Sequence, residues 1–196
     1  MAMECKEFHP YPYQQFCIQH IIDHPAAGLF VDMGMGKTVM TLTAFNYLKY
    51  YAWQIQRCLV IAPKKVAEAT WRTEISGWQH LRHLRCSEVL GTATQRRAAM
   101  AVDADVYVTN RDNVQWLVKE YGKAWPFDMV VLDESSSFKN HQAKRFKALR
   151  AMRPKIKRIV ELTGTPSPHG LMDLWAQVYL LDGGQRLGRT ISVYRD

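Results

Sequence analysis

No apolar run in the sequence approaches the roughly 18–20 residues that a membrane-crossing helix needs, so no helical span is expected within it. The opening residues, MAMECKEFHPY, hold no apolar h-region and do not read as a secretory leader. Cysteine is scarce: Cys5, Cys17, Cys58 and Cys86 lie far apart, and none has C-x₂-C spacing. That argues against a zinc site and for free thiols in a reducing cytosol, the host's cytoplasm if the protein is viral. No internal repeat, low-complexity tract or Gly/Ser/Pro-rich linker divides the 196 residues, a length that fits one sizeable domain or two small ones. With 47% hydrophobic residues, an ordinary core needs no staples. Negative charge is missing from one stretch: Lys139–Arg158 carries nine Lys/Arg and no Asp or Glu, within a formal net charge of +8. Such a balance suggests a polyanionic partner, nucleic acid first.

What the sequence does contain is a recurrence of short β-rich runs: Gly28–Val31, Cys58–Ala62, Val106–Thr109, Met129–Leu132 and Ile159–Leu162. Runs of this length suit strands buried on both faces of a parallel sheet. Helical patterns lie between them. Thr38–Tyr50 follows a Gly-rich turn, and Val66–Trp78 puts Trp71 and Trp78 on one face, where they read as core. His141–Met152 sets Ala143, Phe146, Leu149 and Met152 in a stripe opposite basic residues. Gly170–Leu181 spaces Leu171, Leu174, Trp175 and Val178 as a helix does. Strands alternating with helices predict a doubly wound α/β domain. Ligands of such sheets bind at the carboxyl ends of the strands, where the chemical motifs fall.

The first motif is LFVDMGMGKT, Leu29–Thr38. A strand over Gly28–Val31, a turn over Asp32–Gly36 and a helix from Lys37 onward make the context of a phosphate loop. Gly34 and Gly36 let backbone N–H groups point inward, and the helix N-terminus adds partial positive charge. Lys37 is the candidate for the β/γ-phosphates, and the Thr38 hydroxyl for Mg²⁺. The strict pattern G-x-x-x-x-G-K-[ST] places a glycine where Val31 stands, but Val31 as the last strand residue can pack its side chain. The second motif, Val130–Glu134, is an apolar strand that delivers two adjacent carboxylates. Asp133 is expected to hold Mg²⁺ through water, and Glu134 to orient and deprotonate the attacking water. The third, Ile159–Pro166, ends a strand in Thr163, Gly164 and Thr165, with hydroxyls that can bond the acidic pair and report the γ-phosphate state.

GMGKT, LDESS and LTGTP, in this order and at these separations, resemble the superfamily 2 helicases and translocases, and within them the Swi/Snf-like branch in its compact bacterial and phage forms. The resemblance covers nearly the whole chain. It implies a RecA-like P-loop NTPase lobe, α/β, with a central mostly parallel sheet and helices on both faces. Tyr11–Gln15 is similar to the adenine-reading segment, which makes Gln14 the base contact beside loop residues Met33, Gly34, Met35, Gly36, Lys37 and Thr38. Val60–Val66, followed by Trp71 and Glu74, and Val108–Asn113 resemble DNA-facing segments. On that likeness Lys64, Lys65, Thr109, Asn110 and Arg111 are the nucleic-acid contacts. Thr163–Pro166, continuing through Ser167, Pro168 and His169 to Trp175, is similar to the coupling motif. Ser135 and Ser136 depart from it, standing where many relatives carry Ala and His or Asp; His169 stands where Asn is common.

The resemblance divides the chain into an adenine-reading segment (1–27), a core (28–182) and the start of a connection (183–196) to a second RecA-like lobe not contained in it. It implies ATP and Mg²⁺ as cofactors, DNA as a sequence-independent and duplex partner, and no membrane. The function expected is that of the ATP-binding lobe of a DNA-dependent ATPase that translocates on duplex DNA, weakly hydrolytic without the arginine fingers of its second lobe. Two other readings stand beside it: an RNA or DNA unwinding helicase of the same superfamily, and a nucleotide-dependent nucleic-acid-binding module without hydrolysis. An unrelated P-loop kinase leaves LTGTP unexplained and has no recognisable acceptor site.

Overall fold

The computed structural model describes residues 5–166 and 170–195. Six strands, β1 (Ala26–Phe30), β2 (Cys58–Ala62), β3 (Cys86–Glu88), β4 (Val106–Asn110), β5 (Met129–Asp133) and β6 (Arg158–Thr163), form one sheet in the order β1-β6-β5-β2-β4-β3. Every neighbouring pair is parallel. All carboxyl ends therefore emerge on one edge. The last strand in sequence lies between the first and the fifth, which sets Phe30 opposite Thr163, and Leu162 opposite Asp133.

The strands are buried because both faces are covered, as an all-parallel sheet requires. Alternate side chains feed two cores. Val60, Val131, Val160 and Leu162 pack with Ile21, Met40, Phe45 and Trp71 from α1 (Pro12–Asp23), α2 (Lys37–Tyr50) and α3 (Lys64–Gly77). Leu59, Ile61, Val130, Leu132 and Ile159 face Leu117, Phe146, Leu149, Trp175 and Leu180 on the other side. These come from α5 (Val114–Tyr121), α6 (Lys144–Met152) and α7 (Leu174–Asp182). Short helices α4 (Ala93–Ala101) and α8 (Ile191–Arg195) complete the chain.

Five strands and four helices lie where the patterns predict them, with shifted ends. β1 ends at Phe30, so Val31 is not the last strand residue; it sits just beyond, half-buried, with its side chain still packed on the core. The helix predicted from His141 starts at Lys144, and the one from Gly170 is a 3₁₀ turn (Leu171–Asp173) before α7, leaving Leu171 exposed. Trp71 is core as read, though with a polar task. β3 has no apolar run to announce it, because an edge strand of three residues with one buried side chain offers none.

Candidate functional site

The loop after β1 is built as its glycines demand. Gly34 and Gly36 have φ of +79° and +81°, a left-handed backbone that a side chain would strain. A Cβ on Gly36 would stand 2.7 Å from Gln14 Nε2, so glycine also admits the close approach of α1. The ends of that helix and the loop are sewn together: Tyr13 Oη and Gln14 Nε2 both donate to the Met35 carbonyl, at 3.1 and 3.4 Å. Gln14 Oε1 accepts from the Tyr11 amide and so caps α1 at the same time. Met33 is exposed and Thr38, on the first turn of α2, is half-buried. Lys37 Nζ turns back into the loop, donating to the carbonyls of Val31 (2.7 Å) and Asp32 (2.8 Å). Beside Gln14, Gly34 and Gly36 lies a cleft of about 450 Å³ walled by Phe8, Tyr11 and Trp78.

The two carboxylates diverge. Asp133 continues the alternation of β5 toward the α3 face, where Trp71 Nε1 donates to its Oδ2 at 2.9 Å. Burial pushes its pKa up, against the pull of that hydrogen bond, and the neighbouring Glu134 adds to the rise while Lys37 opposes it. Glu134 takes φ +59°, a left-handed conformation rare outside glycine, and swings to the opposite face. There its Oε1 accepts from Thr163 Oγ1 (2.5 Å) and Ser136 Oγ (2.6 Å). Thr165 reaches the acidic pair only indirectly, its amide donating to Thr163 Oγ1 at 3.0 Å. Gly164 brings β6 against the loop: a Cβ there would stand 3.6 Å from the Met33 nitrogen and the Val31 oxygen. The remainder of the coupling segment, Ser167, Pro168 and His169, lies outside the described residues.

Sequence reasoning missed the polar struts of this edge. Ser135 and Gln177 are wholly buried and bonded to each other, and Glu161 is wholly buried nearby with no partner for either oxygen among the described residues. For two of them the signal was a lone polar residue in an apolar stretch: Glu161 in IVEL and Gln177 in LWAQV.

The five nucleic-acid candidates separate. Lys64 and Lys65 open α3 beyond β2 and are exposed, Lys64 lying 3.9 Å from Glu68. Asn110 ends β4, the neighbouring strand, and Arg111 follows it; both are half-buried, and Asn110 Oδ1 accepts from the Asn113 amide. Thr109 requires a correction. Its side chain is wholly buried and its hydroxyl donates to the Val89 carbonyl at 2.8 Å, so it presents no hydroxyl to a phosphate. In the basic stretch 139–158, six of the nine cations have partners in the protein, while Lys144, Lys147 and Arg150 lie exposed on α6. Lys139 pairs with Asp173, Lys157 with Asp128, and Arg145, Arg153, Lys155 and Arg158 cap carbonyls.

A strand–loop–helix with two left-handed glycines and a lysine, an acidic pair two strands away and a threonine between them thus meet at one edge of the sheet, and the chain as a whole is similar to known proteins. A family model described as SNF2-related domain matches residues 13–185. Putative protein p41 of Acyrthosiphon pisum secondary endosymbiont phage 1 is 42% identical over 195 residues, covering 96% of this chain and 42% of that protein. The human SWI/SNF-related matrix-associated actin-dependent regulator of chromatin subfamily A member 1 is 30% identical over 162 residues, covering 79% of this chain and 15% of that one. Among solved structures, the Sulfolobus solfataricus SWI2/SNF2 ATPase core in complex with dsDNA aligns at a TM-score of 0.79 and 27% identity, covering 100% of this chain and 40% of that one. The chain thus spans less than half the length of each of these, and its sheet is RecA-like. On the match over residues 13–185, the chain belongs to the SNF2-related domain family.

Proposed function

We propose that this chain is the nucleotide-binding lobe of a DNA-dependent ATPase that moves along duplex DNA. The observation that carries the reading is the meeting of Lys37, Asp133, Glu134 and Thr163 at the carboxyl edge of three adjacent strands, β1, β6 and β5. Loop amides of 33–38 and the N-terminus of α2 bind the phosphates, and Lys37 exchanges its two carbonyl partners for phosphate oxygens. Gln14, already on the loop, reads the base from the cleft beside it.

Among the described residues no group of three or more His, Cys, Asp or Glu could hold a metal ion. A Thr38 hydroxyl and an Asp133 carboxylate are hard oxygen donors, and two such donors fit Mg²⁺, which takes its remaining ligands from phosphate and water. Bound there, the ion neutralises charge on the phosphates. Trp71 holds the Asp133 carboxylate, which would be one of the ion's ligands, in a fixed orientation at the end of β5. Glu134, oriented by Thr163 and Ser136, accepts the proton of the attacking water. The relatives extend well beyond the aligned region, and the arginines that stabilise the transferring phosphoryl group belong, in this reading, to a second lobe there. Hydrolysis by this chain alone is accordingly about 10³-fold or more below that of a two-lobed protein. The Sulfolobus relative was solved with dsDNA, which supports duplex DNA as the track.

Titration with a fluorescent ATP analogue tests the site. Lys37→Ala should weaken binding at least about tenfold, the loss of a charge-assisted contact of about 1.4 kcal/mol or more. Unchanged affinity refutes the assignment. Adding duplex DNA, single-stranded DNA or RNA to a hydrolysis assay decides the track: duplex stimulation is expected, and stimulation by RNA alone would make the protein an RNA remodeller.

A further inference from the structure

Gln177 lies on α7, wholly buried, with its amide fully engaged. Its Oε1 accepts from Ser135 Oγ at 2.8 Å, and its Nε2 donates to the carbonyls of Pro166 (2.6 Å) and Asp173 (2.9 Å). Two carbonyl acceptors on one side and a hydroxyl on the other fix which end of the amide is nitrogen. One side chain thereby joins three pieces of backbone: the acidic loop, the segment leaving β6 and the turn that starts α7. The circuit closes through Glu134, which neighbours Ser135 and accepts from Thr163, whose hydroxyl in turn accepts from the Thr165 amide just before Pro166. Ser135, Thr163 and Gln177 are buried and cannot turn to water if a partner leaves, so their contacts tend to hold or release together.

We propose that Gln177 is a positioning residue that sets Glu134 through Ser135 and couples the acidic loop to α7, so that events at the phosphates move that helix. The inference rests on the nucleotide-site reading above. An apolar residue at position 177 would fill the space, but it would take from the Ser135 hydroxyl and the Pro166 carbonyl the partner that Gln177 gives them. Ser135→Ala removes one link while leaving the rest of the amide's bonds, and its small volume change keeps the fold.

Hydrogen exchange of the chain with and without ATPγS·Mg²⁺ tests the coupling, in the parental protein, Gln177→Leu and Ser135→Ala. Nucleotide should slow exchange in the loop 31–38 in all three. In α7 it should slow exchange by about fivefold or more in the parental protein, the size of a modest allosteric coupling, and by less than about twofold in either variant. Equal protection of α7 in parental and variant proteins, or none in any of them while the loop is protected, overturns the inference and leaves the nucleotide site standing. An unprotected loop in the parental protein overturns the nucleotide site, and the coupling with it. Should Gln177→Leu fail to fold, Ser135→Ala alone decides.

Discussion

Glu161 is a carboxyl group in a place water does not reach, in the middle of β6, an interior strand of the sheet. Burial pushes its pKa well above the usual carboxylate range, with Ser135 and Arg153 opposing the rise too weakly to cancel it. The Ser135 hydroxyl has one proton, and that proton is committed to Gln177. Burial therefore favours its neutral form in the folded chain more than in an unfolded one. The sign follows. Between the unfolded pKa, about 4.3, and the raised folded value, the native state binds more protons, so stability falls as pH rises through that window. Glu161→Leu removes a buried polar group that has no hydrogen-bond partner and should stabilise the fold by about 1–3 kcal/mol. The melting temperature should then rise by several degrees at pH 8, and by less at pH 5, where the penalty is smaller. A gain independent of pH would mean that Glu161 does not change its protonation on unfolding. Asp133 is also raised, chiefly by burial, but it stands at its strand's end with Trp71 as a donor that opposes the rise.

The stretch from Lys139 to Arg158 teaches a different lesson about charge, at the level of elements. Read as sequence it is a basic surface, but α6 and the turn after it use most of those cations to finish other elements. Arg153 donates to the carbonyls of Leu180 (2.6 Å) and Leu181 (2.8 Å), which close α7 and have no helical partners. Arg158 reaches under α1 to the Ile21 carbonyl, and Arg150 lies over the Tyr179 ring. Only Lys144 and Lys147 remain exposed without a partner among the described residues. Arg153→Ala should therefore cost about 2–3 kcal/mol in urea or thermal unfolding, the loss of buried charge-assisted hydrogen bonds. Lys144→Ala and Lys147→Ala should each change stability by no more than about 0.5 kcal/mol. Equal effects would show that the caps contribute nothing. Charge periodicity cannot reveal this, because a guanidinium facing a helix end and one facing solvent look alike in one dimension. For a related reason α1 and α4 escaped detection: α1 buries Gln14 and Cys17 with Ile21, and α4 buries no residue, so neither shows a clean apolar stripe. The strands, apolar on both faces, announced themselves, as did the three chemical motifs at their ends.

At the scale of the whole molecule, the sheet order turns distant segments into one edge. β6 inserts between β1 and β5, so Thr163 stands beside the loop and the acidic pair, an arrangement that local patterns cannot encode since neighbourhood in a parallel sheet is independent of nearness in sequence. β2 follows β5 and β4 follows β2, which continues the edge from the phosphate site to Lys64, Lys65, Asn110 and Arg111. Motion of the acidic loop is thus one strand away from the segment proposed to grip the track. If Lys64 and Lys65 each neutralise a phosphate, then Lys64→Ala and Lys65→Ala should each weaken duplex binding. Each should also lower the slope of log K against log salt by about one, because one fewer counterion is released. The effect should be the same on any sequence, since contacts to backbone carry no base information. Thr109→Val supplies the contrast within the same edge. Its hydroxyl serves the Val89 carbonyl from inside the protein, so its loss should cost stability, about 1 kcal/mol, and leave both affinity and salt slope unchanged. A reduced slope for Thr109→Val would mean that the edge opens to admit phosphate, and an unchanged slope for both lysines would move the track elsewhere on the lobe.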